Sequence, residues 1–358
     1  MDSTKRSASF IDPASDPRGD RFVEAHPNGL ICHLSGWKQV LEASFPHMKG
    51  YYPVLLDASG GQIVAGLPVF QVRSWLTGNR LVSIPFATLC DPLVTTKDEM
   101  AQLLRTALDL YRRSSSSYVE VRTLKASSLV EGCGLSKVSF FKNHCLNLAP
   151  GADEVFKSFH KNSIKAMIAR AVKSGVSLRI GDNEHDLKEF YRLHSLTRKR
   201  LGLPCHPYRF LQLLWRQFHP AGKLSLLLAK KDRAHVAGII LLKFKDRVAF
   251  EFGASDDAHF NIGANQFLLW KAIEQAIEEG YKLFDFGRTS PSNDGLMTFK
   301  KRWGTEVRDI PHFYFPLDKT QTPQNEGSLG YRMMHKLCEI TPRNMQKVIG
   351  EFCYRHLG

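Results

Sequence analysis

Two stretches of this chain repeat each other in order, and that duplication limits the fold more than any single motif does. "GGQIVAGLPVFQV" (60–72) and "DRAHVAGIILLKF" (232–244) each pass from a turn through Val-Ala-Gly into a strand-like apolar run. "SYVEVRTL" (117–124) and "KLFDFGRT" (282–289) follow at nearly the same offset, so that Glu120 corresponds to Asp285. A helical segment precedes each, 97–113 in one case and 264–280 in the other. The second carries Phe267, Trp270, Ile273, Ala276 and Ile277 on one stripe and stops at Gly280, a C-terminal cap. Two echoes in one order, joined to the same helix-then-strand grammar, predict tandem copies of a single domain.

The second copy is the clearer of the two. Phe156 to Val172 is expected to be one helix, with Ile164, Met167, Ile168, Ala171 and Val172 facing the core and Gly175 stopping it. A strand over 176–180 and a helix over 184–202 follow, the helix burying Leu187, Phe190, Tyr191 and His194. "KLSLLLAKK", "HVAGIILLKF" and "RVAFEFGASD" are strands joined by tight charged turns, hence an antiparallel meander. After the 264–280 helix, "KLFDFG" returns parallel to the last meander strand through a crossover. The first copy shows the same order, less completely, between about 20 and 148. Beyond Pro316 a polar linker leads to a tail, 331–358, in which apolar residues mix with Arg332, Lys336, Arg343, Lys347 and Arg355. A basic amphipathic tail either docks on its own domain or lies on anionic lipid. The expected division is a polar leader (1–20), domain one (21–150), domain two (151–316) and linker plus tail (317–358).

Bulk properties exclude several classes. A net charge of +14 favours anionic partners: the phosphates of a substrate, RNA, or a membrane surface. The seven cysteines are scattered singly without CxxC spacing, which predicts reduced thiols and neither zinc nor a disulfide framework. With no signal-like apolar core near Met1 and no run long enough to span a bilayer, a cytoplasmic protein is expected, at most peripheral to a membrane. Asp285-Phe286-Gly287 matches the magnesium-binding tripeptide of protein kinases, but no His-Arg-Asp loop precedes it. No phosphate-binding loop, nucleophile elbow or metal-ligand spacing of histidines appears either, so no metal is expected.

The β-α-α-β-β-β-α-β order is that of GNAT acyltransferases, so the expected fold class is α/β (α+β): tandem GNAT domains, two mixed sheets flanked by helices, and an amphipathic tail. A sheet of this kind parts between its fourth and fifth strands, letting an acyl donor lie against strand backbone while an amine enters opposite. Asp285, ending the fifth strand, and Glu251, on the fourth, are the candidates for accepting the amine's proton. Arg288 and Lys300 are candidates for holding a phosphate or the tetrahedral oxyanion. Gly263, Asn265 and Gln266, opening the helix after the fourth strand, are candidates for receiving the donor's phosphates.

"FDFGRTS" followed by "GLMTFKKRWGTE" resembles the hallmark of the Fem-type (FemAB) tandem-GNAT acyltransferases, and the likeness spans about residues 25–316. Within that family the chain looks most like members associated with exopolysaccharide or cell-envelope gene sets. The resemblance implies that Lys300 aids transfer, that Phe299 walls the active site and that Trp303 belongs to the substrate-binding motif. Lys165-Ala166 stands where the family often has Arg-Asn, and a helical hairpin found in some tRNA-using members is missing. The expected activity is N-acyl transfer from acyl-CoA or aminoacyl-tRNA onto an amine of an envelope glycoconjugate or precursor, without a permanently bound cofactor. Acyl-CoA is preferred as donor because no dedicated RNA module is present. The alternative is a non-catalytic basic protein that holds RNA or an anionic membrane.

Overall fold

In the computed structural model, residues 7–316, 335–336, 338–342 and 345–357 are described. The chain divides into two compact units. The first runs to Phe140, resumes at Asp309 and takes in the last residues from Phe352; the second holds Phe141–Arg308 and the segment ending at Glu351. The breaks therefore do not fall at 150 and 316.

Unit one orders its strands β1 (Ser7–Ile11), β2 (Met48–Leu56), β4 (Val69–Val72), β5 (Arg80–Val82), β6 (Val119–Arg122) and β13 (Glu306–Phe315), with β3 (Ile63–Gly66) paired to β2. The helix α3 (Lys97–Arg113) crosses from β5 to β6, which are parallel at Leu81↔Val119 and Val82↔Glu120. Its start is set by Thr96 and Glu99, which cap each other's backbone N–H groups. Leu103, Leu104 and Ala107 from α3 pack on Leu81, Val119, Val121 and Phe313. The strand that closes this sheet, β13, is encoded after the main run of unit two (Phe141–Arg308), and it pairs antiparallel with β6 at His312↔Arg122 and Phe313↔Val121.

Unit two repeats the scheme. Its order is β7 (Ser136–Asn147), β12 (Leu283–Thr289), β11 (Arg247–Ser255), β10 (Ala234–Phe244), β9 (Leu224–Lys231) and β8 (Ser177–Gly181). The strands β9, β10 and β11 form the expected meander, and β12 returns parallel to β11 after α9 (Ala264–Glu278). The strand beside β12, β7, precedes the rest of this unit in sequence. On one face, α7 (Glu184–Arg200) and α8 (Tyr208–Phe218) pack. On the other, α9 and α6 (Ala166–Lys173) bury Phe267, Trp270, Ile273, Ile168 and Ala171 against Leu227, Ile239, Val248 and Phe284.

One element differs from the sequence-based expectation, and the tail takes the docked form of its two expected arrangements. The helix expected over Phe156–Val172 is broken: α5 (Ala152–Ser158) ends, Phe159 and His160 are extended, and a wide π turn (Lys161–Lys165) leads into α6. The break lets the Phe159 ring enter the core, 5.4 Å from Trp270 and 4.9 Å from Trp303 between ring centroids. The tail docks rather than standing free. Its helix α11 (Gln346–Tyr354) ties buried Gln346 to the Cys338 carbonyl and sets Lys347 over the Tyr191 ring. Farther on, within unit one, Tyr354 stacks on Phe45, and the His356 carbonyl accepts from Arg80 and Thr77. Arg332 and Arg343, part of the expected basic face, lie outside the described residues.

Candidate active site

The parallel ladder between β11 and β12 lasts only three residue pairs, Arg247↔Leu283, Val248↔Phe284 and Ala249↔Asp285. Both strands continue, to Ser255 and to Thr289, without pairing to each other. Each stays attached on its far side: β11 to β10 as far as Ser255↔Ala237, and β12 to β7 as far as Thr289↔Lys142. The sheet parts at Asp285.

Two local irregularities produce the parting. In β12 the ladder to β7 skips register between Asp285 and Arg288, and Gly287 between them has φ +73°. Only glycine adopts that region without strain. In β11 the ladder to β10 passes from Phe252↔Ile240 to Phe250↔Leu241, so Glu251 is the extra residue of a bulge. The bulge redirects the side chains: Phe250 packs on the α9 side, whereas Phe252 meets His194, His206 and Phe210 from α7, α8 and their connection.

The two carboxylates at the opening differ sharply. Asp285 is buried and fully engaged: Oδ1 accepts from Asn143 Nδ2 (2.7 Å) and the Gly287 N–H (2.8 Å), and Oδ2 accepts from Arg247 Nη1 (2.8 Å). With both oxygens engaged, Asp285 braces the strand end. Glu251 is half-buried, and among the described residues its carboxylate has no hydrogen-bond or ion-pair partner. Burial, reinforced by the Asp285 charge and partly opposed by Arg288, pushes its pKa up to about 7. That value suits a group exchanging protons near neutrality.

Lys300 ends the short helix α10 (Asp294–Lys301), which Asn293 caps through the Leu296 N–H. Its buried ammonium donates to the carbonyls of Gly287 (3.0 Å) and Arg288 (2.9 Å), the backbone just past the parting. Pairing with a surface carboxylate is ruled out by this geometry. Burial lowers the Lys300 pKa to about 8, with Asp285 opposing and Arg288 assisting. An ammonium has three N–H donors, and the two carbonyls take two of them. His144 lies nearby, between Thr305 Oγ1 (3.2 Å) and Met297 Sδ (3.3 Å), its pKa depressed to about 4 by burial and by Lys300 and Lys301.

The remaining expected site residues divide. Arg288 is exposed and stacks over Phe141 at 4.5 Å. Phe299 is half-buried on the rim of the core, edge-on to Trp303. Trp303 itself is fully buried among Phe159, Phe286 and Phe299, which makes it a core residue and not a substrate contact. Gly263 does allow a close backbone approach, but to the chain itself: a Cβ there would stand 2.2 Å from the Met167 carbonyl oxygen. Asn265 and Gln266 are half-buried in the first turn of α9, where no side chain caps the helix. Lys165 is drawn away, donating to the Lys157 carbonyl (2.8 Å) at the end of α5.

Asn143 and Arg247 were not foreseen. Neither sits in a motif, and Asn143 reaches the site only because β7 flanks β12. Cys32, His33 and Cys90 were also not foreseen as a group, yet they cluster in unit one with their ligating atoms within 4.8 Å of one another. His33 Nδ1 accepts the Leu30 N–H (2.9 Å), so the ring proton sits on Nε2, facing Cys90 Sγ at 3.6 Å. A metal-bound histidine shows the reverse, its second nitrogen donating. The Cys90 thiol is shifted well below its usual range, by Cys32 first and then by the imidazole.

Unit one's counterpart of the site is sealed. Glu120, equivalent to Asp285, is buried against Arg122, and its second oxygen accepts from Tyr314 OH (2.9 Å).

Fold and opening together define a class, the GNAT-fold acyltransferases, and a profile described as an acetyltransferase (GNAT) domain matches residues 158–301. Among curated relatives, the UDP-N-acetylmuramoylpentapeptide-lysine N(6)-alanyltransferase of Weissella viridescens is 23% identical, over 87% of this chain and 96% of that protein. The lipid II:glycine glycyltransferase of Staphylococcus haemolyticus is 20% identical, over 84% of this chain and 91% of the relative. The crystal structure of FemX superposes with a TM-score of 0.71 at 16% identity, over 88% of this chain and 98% of FemX. A tandem GNAT protein from the clavulanic acid biosynthesis pathway gives 0.55 at 12% identity, over 89% and 100% of the two chains. The chain is thus similar over most of its length to the Fem-type tandem-GNAT acyltransferases. Enzymes of this class take their acyl group from a donor that arrives and leaves as a substrate, acyl-CoA or aminoacyl-tRNA.

Proposed function

We propose that this protein transfers an aminoacyl group from an activated ester onto an amine of a cell-envelope precursor, by direct attack in the opening between β11 and β12. The observation that carries the proposal is Glu251: an unpaired carboxylate at a bulge, just beyond the last β11–β12 pair, with its pKa pushed up to about 7. As base, it takes the proton of the attacking ammonium. Lys300, braced by two carbonyls, offers its remaining N–H to the oxyanion or the departing oxygen. Phe299 and Arg288 border the opening, and the first turn of α9, with Asn265 and Gln266, receives donor phosphates. The alanyl- and glycyltransferase names of the relatives reverse the earlier preference for acyl-CoA, and their acceptors favour a muramoyl-peptide or lipid-linked precursor over an exopolysaccharide.

Purified protein incubated with radiolabelled alanyl- or glycyl-tRNA, or with acetyl-CoA, and with UDP-N-acetylmuramoyl-pentapeptide or lipid II tests the reading. Transfer from aminoacyl-tRNA is expected, with kcat/KM rising as pH passes upward through about 7 while Glu251 ionises. Glu251→Gln should lower kcat about 100-fold or more and remove that limb of the profile. Transfer from acetyl-CoA alone would refute the donor assignment; an unchanged pH profile in Glu251→Gln would refute the base.

A further inference from the structure

The turn between β4 and β5 in unit one presents its largest side chains to solvent. Trp75 is 80% exposed and Leu76 58% exposed, whereas the Val72 and Leu81 that flank the turn are buried. The display is held in place. Buried Ser74 Oγ accepts the N–H groups of Leu76 (3.2 Å) and Thr77 (2.9 Å) and meets His356 Nδ1 at 2.9 Å. Arg80 ties Thr77 Oγ1 (2.8 Å) to the His356 carbonyl (3.0 Å). Trp75 stands edge-on to the His356 ring, and Phe352, 49% exposed, lies against the other part of the same ring. Trp75, Leu76 and Phe352 thus form an apolar cluster around one histidine, joining the turn to the end of the tail.

The charged side chains flanking the turn and His356 are arginines, with exposed Glu351 one residue before Phe352. Exposed Arg73 opens the turn and exposed Arg355 adjoins His356. Half-buried His47, whose Nε2 meets the Leu357 carbonyl at 3.3 Å, lies in the field of Arg80 and Arg355. The neighbouring loop, whose Ser117 N–H donates to the Asn79 carbonyl, follows Arg113 at the basic end of α3. Two apolar side chains on a hydrogen-bonded turn and a third on the tail helix, with Arg73 and Arg355 beside them, match a shallow insertion below anionic headgroups: indole favours the water–hydrocarbon boundary, and arginines favour the phosphate layer. Among the described residues no helix is long and apolar enough to cross a membrane, so attachment through this turn would be to one face of a bilayer.

We infer that Trp75, Leu76 and Phe352, with Arg73 and Arg355, form a docking surface for an anionic lipid bilayer. The surface belongs to unit one and the residues assigned to catalysis to unit two, and its test does not depend on the donor or acceptor.

The full chain is sedimented with vesicles of pure phosphatidylcholine and with vesicles also containing phosphatidylglycerol. The protein should partition into the anionic vesicles only. The partition coefficient should fall about tenfold or more in Trp75→Ser/Leu76→Ser, and similarly in Arg73→Glu/Arg355→Glu, with the circular dichroism of both variants unchanged. Lipids brominated near the headgroup should quench wild-type tryptophan fluorescence and lose that effect in Trp75→Phe. Equal binding to neutral vesicles, wild-type binding by either double variant, or no binding at all would overturn the inference. So would a concentration-dependent dimer that the Trp75→Ser/Leu76→Ser change abolishes, since a second copy would then cover the patch.

Discussion

Truncating Lys300 removes more than a charge. Its ammonium satisfies the Gly287 and Arg288 carbonyls in a buried setting, so Lys300→Met, which keeps most of the stem, strands both acceptors. A loss of about 1–3 kcal/mol in urea unfolding is expected, together with a large fall in turnover. The same change should raise the pKa of His144, which Lys300 now holds down, and the imidazole resonances in an NMR titration would show it. A variant as stable as wild type, with an unmoved His144, would separate Lys300 from the strand end. Asp285 and Lys300 thus both hold backbone at the parting, and Glu251 is the carboxylate proposed as base. Residue identity marked all three from the sequence, but their division of labour depends on Asn143 and Arg247, which no local pattern connects to Asp285.

At the scale of elements, α9 and α6 are kept close by one glycine. Gly263 has φ +80° and faces the Met167 carbonyl, so Gly263→Ala suffers both backbone strain and a collision. A destabilisation of about 2–4 kcal/mol is expected. Gly280, with φ +83° and no atom within 4 Å of an added Cβ, is the control: Gly280→Ala should cost only about 1 kcal/mol, and thermal melts of the pair isolate the collision. Equal losses would mean that α6 moves aside freely. The meander, the crossover helix and the parallel return of β12 were legible because period and turn chemistry are local signals. The break after Ser158 was not, because its cause is the space for Phe159 between Trp270 and Trp303, both more than a hundred residues away. The bulge at Glu251 was hidden for the same kind of reason, since it exists only relative to β10.

The whole molecule is two copies of one scheme, and the first is closed by a strand from outside its own N-terminal run of sequence. Phe313 is 1% exposed and packs in the core of unit one, although it follows the main run of unit two in the chain. Phe313→Ala is therefore expected to cost about 3–5 kcal/mol. Hydrogen exchange should speed up at Val119–Arg122 while α9 and β9–β11 keep their protection; faster exchange confined to unit two would contradict the assignment of β13. The duplication itself was visible in the echoes at Ala65 and Ala237 and at Glu120 and Asp285. The origin of the closing strand was not, because an edge strand carries no label naming its partner. On a ribosome, this ordering means that the half made first waits longest: the outer rim of β6 has no neighbour until the segment from Asp309 has emerged, so a chain stalled before that point leaves the rim open to other strands.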